Sequence, residues 1–135
     1  MRYLLDTNVV SEVSKKQPSG KVLNFLQANE SQCAVPSIVV AERYRGANLV
    51  PPGQRQALLK AVHEFREEFA DRILPFDAEV AEIWGDYVSR SALRNQPRSY
   101  PDTQIAAIAL THDLVVVTRN TEDFPEVDTL NPFMD

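Results

Sequence analysis

Cysteine is nearly missing from this sequence: of 135 residues, only Cys33 carries a thiol. One thiol cannot close a disulfide within the chain or build a cysteine-rich zinc site. Set in QCAVPSIVV, it reads as a small buried core residue. Long hydrophobic runs are also lacking, and none approaches the roughly 18 apolar residues that cross a bilayer. The first residues do not have the layout of a signal peptide. Both absences lead us to expect a cytoplasmic protein with no membrane partner. Positive charge is scarce, with 14 Lys and Arg against 19 Asp and Glu and a net charge of −5. That excludes a protein that coats nucleic acid through bulk charge. It does not exclude a nuclease, in which only the charge near the phosphate counts.

What is present describes a globular domain. The composition is 44% hydrophobic and 24% charged, as in ordinary folded proteins, and the length suits a single domain over residues 1–135. RYLL at 2–5 reads as a short buried strand, followed by a helix from about Asn8 to Lys16. QPSG breaks it, and KVLNFLQAN has helical spacing of Val22, Leu23, Phe25 and Leu26. QCAV is a second strand. Ser37 is the expected N-cap of the next helix, with Ile38, Ala41 and Tyr44 on its inner side. PPG at 51–53 precedes a helix from about Gln54 whose stripe is Leu58, Val62, Phe65 and Phe69. RILPF is a third strand, and 77–93 is helical with Val80, Ile83, Trp84, Tyr87 and Val88 inward. NQPRSYP reads as a loop, DTQIAAIALTHD as a helix, LVVVT as a strand, and Val127–Leu130 as a last short strand. Strands alternating with helices, without hairpin signals, predict one α/β domain: a parallel sheet with helices on both faces.

The acids then fall into a pattern. Open parallel sheets bind ligands outside the carboxyl ends of their strands. Asp6 directly follows the first strand, and Glu42 lies one turn into the helix after QCAV. Asp102 opens the helix before LVVVT, while Asn120 and Asp123 lie just past that strand. Each has an ordinary reading of its own. Asp6 and Asp102 suit helix starts, Glu42 a solvated helix face, and Asp123 a polar loop. If strands 1 and 4 are neighbours, all of them meet on one rim, where their charges repel and raise their pKa values. A hard divalent cation, Mg²⁺ or Mn²⁺, is the usual compensation. Water activated there can attack a phosphodiester.

The segments LLDTNVVSE, PSIVVAERYRGA, DTQIAAIALTHDLVVVTRNTEDF and LNPF resemble the PIN-domain ribonucleases, in particular the toxins of VapBC-type toxin–antitoxin pairs. RILPFD and LNPF are most similar to the FitB-like branch. The resemblance runs nearly end to end. It implies a three-layer PIN-like domain with about five parallel strands and Mg²⁺- or Mn²⁺-dependent cleavage of RNA. It also implies a homodimer, assembled further with a cognate antitoxin, a small DNA-binding protein that inhibits the site. Asp6, Glu42 and Asp102 match the family's acids. Many relatives have an Asp where this chain has Asn120, so Asp123 becomes the expected fourth acid, an outer metal ligand or water-orienting group. Thr7, Asn8, Thr118 and Asn120 are expected just behind the ligands, with Thr7 or Asn8 capping the first helix in place of Asp6. In the family, a helical pair like the one ending near Phe69 helps grip the antitoxin.

Other readings compete. A phosphatase with an Asp nucleophile after its first strand needs a second Asp two residues on, where this chain has Asn8. A receiver domain needs an acidic pair before the site and a lysine after the strand LVVVT, and this chain has neither. The serious alternative is a largely non-enzymatic dimerising partner of a DNA-binding antitoxin, in a complex that regulates transcription. Arg90, Arg94 and Arg98 form an acid-free basic run leading to Asp102. They read either as an RNA-backbone contact or as a solvated helix end with favourable dipole charges. His63 and His112 read as structural or exposed, and Trp84, Phe65 and Phe69 as core.

Overall fold

The computed structural model describes residues 1–90, 93 and 98–134. Five short strands, β1 (Tyr3–Leu5), β2 (Cys33–Pro36), β3 (Ile73–Leu74), β4 (Val115–Val117) and β5 (Thr129–Leu130), form one sheet. Its order is β3-β2-β1-β4-β5, and every pairing is parallel. Among the described residues, six α-helices flank it: α1 (Thr7–Glu12), α2 (Gly20–Asn29), α3 (Ser37–Leu49), α4 (Pro52–Glu68), α5 (Ala78–Ser89) and α6 (Tyr100–His112). This is the α/β architecture expected from the sequence.

Strands β1 and β2 are buried along their whole length, and β4 apart from half-buried Val115: Leu4, Cys33, Ala34, Val35, Val116 and Val117 are almost inaccessible to solvent. Strands covered on both faces carry continuous apolar runs rather than alternation, which is why YLL, CAV and VVV were readable. The run Ile105–Ala109 of α6 is equally buried, and its small alanines let that helix lie close to the sheet.

Several boundaries differ from expectation, each for a local reason. Helix α1 stops at Glu12, and Ser19 caps α2 by accepting a hydrogen bond from the Val22 N–H at 3.4 Å. Pro36, not Ser37, holds the N-cap position of α3. Helix α6 starts at Tyr100, two residues early, because Ser99 caps it and Pro101 fits its first turn. It ends at Asp113, whose φ of 54° is left-handed. Helix α3 presents a different face from the one expected: Val39 and Ala47 are buried, whereas Ala41 is exposed.

A candidate acidic active site at the switch in strand order

The strand order places β2 on one side of β1 and β4 on the other, so consecutive connections leave the sheet in opposite directions at the β1–β4 seam. Ligand sites of open parallel sheets form at such a seam. Leu5 is in register with Val117, which brings the next residues of both strands, Asp6 and Thr118, to the same edge. The Asp6 N–H donates to the Val117 carbonyl at 3.0 Å and extends the ladder to that edge.

Asp6 is 6% exposed and nearly saturated with donors. Its Oδ1 accepts from the Thr7 N–H at 2.7 Å. Its Oδ2 accepts from the Thr118 hydroxyl at 2.8 Å and from Asn8 Nδ2 at 3.3 Å. Asp6 therefore caps α1 itself, contrary to the expectation that Thr7 or Asn8 would. A short carboxylate at the N-cap satisfies the first-turn N–H with one oxygen, while Thr118 and Asn8 orient the other at the rim. Thr118 is fully buried, and its oxygen also accepts from Asn8 Nδ2 at 3.2 Å and from the Asn120 N–H at 3.0 Å. Asn8 completes the mesh by accepting from the Arg119 N–H at 3.1 Å.

The other acids surround this mesh. Glu42, half-buried on α3, accepts from the Thr7 hydroxyl at 2.8 Å. Asp102 lies half-buried in the first turn of α6, and its N–H donates to the Ser99 hydroxyl at 3.3 Å. Asp123 is half-buried in a single 3-10 turn, Thr121–Asp123, with Oδ1 3.9 Å from Arg98 Nη1. Burial pushes the Asp6 carboxyl above its ordinary range; hydrogen bonds from Thr118 and Thr7 oppose this, and the charges of Glu42 and Asp123 add to it. Burial likewise raises Asp102, opposed by Ser99 and Arg98 and reinforced by the charges of Asp6 and Asp123. All four acids are thus within electrostatic reach of one shared region.

Among the described residues, no three His, Cys, Asp or Glu side chains form a ready-made metal cage. The donor chemistry nevertheless suits a hard cation. The donors are carboxylates, burial and then their mutual repulsion raise Asp6 and Asp102, and Mg²⁺ is characteristically held by one or two carboxylates with several retained waters. Asp6, Glu42, Asp102 and Asp123 are the residues that could hold such an ion, directly or through water.

The remaining candidates are placed as follows. Asn120 is exposed and contributes its backbone N–H to Thr118. Arg90 pairs with Asp86 at 3.0 Å and with Glu126 at 3.8 Å, and Arg98 donates to the Glu122 carbonyl at 3.1 Å beside Asp123. Acids from outside the basic run therefore engage both. Arg94 lies outside the described residues. His112 is exposed, and the exposed His63 meets the Tyr44 hydroxyl at 2.7 Å. Sequence reasoning missed Glu12. It is 4% exposed, accepts from the Ser19 N–H at 2.8 Å, and pairs with Lys15 at 2.9 Å and Arg119 at 4.0 Å. The Lys15 and Ser19 donors hold its pKa below the ordinary value. An acid set between Val10 and Val13 was the available signal. The rim's backing by the C-terminal segment was also missed: Asn131 Nδ2 donates to the Arg119 carbonyl at 3.3 Å, and the Arg119 guanidinium lies 3.8 Å from the Phe133 ring centroid.

Comparison with known proteins places this geometry in a family. The PIN domain family matches residues 3–130. The chain is 36% identical to toxin FitB of Neisseria gonorrhoeae, over 98% of this chain and 99% of that protein. It is 31% identical to VapC ribonuclease Y4jK of Sinorhizobium fredii, over 96% of each. A solved structure of FitAB bound to an IR36 DNA fragment superposes with a TM-score of 0.90 at 33% identity, covering 98% of this chain and 96% of that one. A parallel five-stranded sheet, an acid at the end of its first strand and a match across almost the full chain lead to one conclusion: the chain belongs to the PIN-domain family.

Proposed function

We propose that this protein is a divalent-metal-dependent ribonuclease and the toxin of a toxin–antitoxin pair. The observation that carries the reading is Asp6, buried at the end of β1, with Glu42 held beside it through the Thr7 hydroxyl and the charges of Asp102 and Asp123 within electrostatic reach. Relatives named as a VapC ribonuclease and a toxin supply the substrate class and the biological setting. Asp6, Glu42 and Asp102 carry most of the affinity for the cation, Mg²⁺ or Mn²⁺, and Asp123 orients water at its edge. Bound there, the cation would supply compensation of the phosphate's negative charge and a nucleophilic water at neutral pH. Thr118, Thr7 and Asn8 fix the Asp6 carboxylate by hydrogen bonds, so that its orientation does not depend on the substrate. The partners of this reading are RNA, a DNA-binding antitoxin and a second copy of the chain, in the cytoplasm. Among the described residues no helix is long and apolar enough to cross a membrane.

Incubation of antitoxin-free protein with labelled RNA tests the reading. Cleavage is expected with Mg²⁺ or Mn²⁺ and is expected to vanish in EDTA and in Asp6→Asn and Asp102→Asn variants. Undiminished cleavage in EDTA overturns the metal-dependent mechanism. Absence of cleavage with either metal, together with operator binding by the antitoxin complex, establishes the non-enzymatic alternative instead.

A further inference from the structure

Tyr100 is one of the most exposed large side chains in the described structure, at 67%, although it belongs to the first turn of a helix whose middle, Ile105–Ala109, is deeply buried. Its ring is not loose. It lies parallel to Trp84 of α5, with centroids 5.7 Å apart and an interplanar angle of 11°. Trp84 is held in turn: its Nε1–H donates to the Thr103 hydroxyl at 3.0 Å, and Thr103 is 6% exposed. The Thr103 hydroxyl has its own acceptors in the carbonyls of Ser99 and Tyr100, at 3.2 and 3.1 Å. The result is a two-ring stack anchored in the core, half-buried at Trp84 and open to solvent at Tyr100. Nothing about folding requires an aromatic ring at the outer position, since burying Trp84 needs only apolar cover.

We infer that Tyr100 is a substrate-positioning residue, the stacking platform for one base of a single-stranded RNA whose backbone passes Asp102. This inference rests on the ribonuclease reading and adds how the strand is held. Tyr100 and Asp102 lie in the first turn of α6, separated by a rise of about 3 Å but about 200° around the axis, so a strand crossing the N-terminus of the helix can reach both. Stacking on an aromatic face is sequence-tolerant, because every base has a π-face, and it needs an unpaired base. The platform thus selects single strands without reading their sequence. It also compensates for an acidic protein whose Arg90 and Arg98 are already engaged by acids of the chain.

The test is binding of a labelled single-stranded ten-nucleotide RNA, followed by anisotropy at low salt with calcium present to neutralise the acidic rim. The Tyr100→Leu variant keeps Trp84 covered but removes the π-face, and its affinity is expected to fall about five-fold or more. Tyr100→Phe is expected to bind as the original protein does. An abasic strand of the same length should bind the original protein no better than Tyr100→Leu binds the intact RNA. Emission of Trp84, the chain's one tryptophan, should shift when the intact strand binds and stay constant with the abasic one. Equal affinity of Tyr100→Leu and Tyr100→Phe overturns the platform and leaves the ribonuclease reading standing. Failure of the original protein to bind or cleave any RNA removes both.

Discussion

Asp6 divides its two oxygens between folding and chemistry, and this determines how its substitutions behave. Replacing it with Ala removes a helix cap as well as a charge, so lost activity is expected to come with about 1 kcal/mol of lost stability. Asp102 separates the two effects. Its carboxyl is raised chiefly by burial, with the neighbouring charges adding, so its ionised form opposes folding in the absence of metal. For a raised carboxyl, the favourable contribution is complete below the unfolded pKa and is lost as pH rises through the folded one. Asp102→Asn, which cannot ionise, should therefore be more stable than the original in EDTA at pH 7. That advantage should shrink as the pH falls toward the usual Asp range. Melting curves of both proteins across pH check this, and a lower melting temperature for Asp102→Asn at pH 7 would contradict it. Mg²⁺ should stabilise the original protein and leave Asp102→Asn nearly unmoved. At the fourth position, Asp123→Ala is expected to reduce cleavage while leaving some metal binding, and Asn120→Ala to have less effect. A silent Asp123→Ala beside an inactive Asn120→Ala would transfer the role to Asn120.

The elements differ in how clearly the sequence announced them. Strands β1, β2 and β4 were legible because burial on both faces demands unbroken apolar runs. The placement of Asp6 at the end of β1 and of Asp102 in the first turn of α6 was legible because such positions can be counted without knowing side-chain geometry. The inward face of helix α3 was not, since Val39 and Ala47 share their stripe with Arg43. That guanidinium donates to the Val10 carbonyl at 3.2 Å and lies 5.3 Å from the Phe65 ring centroid. A charged group that is half-buried by snorkelling breaks the apolar period that defines a face. The cap by Asp6 was missed for a related reason: one carboxylate can serve two roles, and sequence reasoning assigned it only one. Helix α5 is tied to the segment after Asp123 by Tyr87, whose hydroxyl donates to the Pro125 carbonyl at 2.9 Å. Burial pushes that phenol up to about 12, so it remains a donor at every working pH. Tyr87→Phe should lower stability by about 1 kcal/mol, or about 4 °C in melting temperature. Cleavage should weaken with it only if the turn bearing Asp123 shifts.

At the scale of the whole molecule, the Thr118–Asp6 hydrogen bond joins residues 112 positions apart. Strand β4 enters the sheet beside β1, although every other strand but β5 precedes it in the chain. A ribosome adds about 5–20 residues per second, so roughly 6–22 seconds separate the synthesis of Asp6 from that of Thr118. During that interval the growing chain carries the first acid but not the hydroxyl that orients it, nor the helix start bearing Asp102 until late. On the proposed ribonuclease reading, the chain cannot orient its first acid for chemistry until Thr118 has been added and has folded against Asp6.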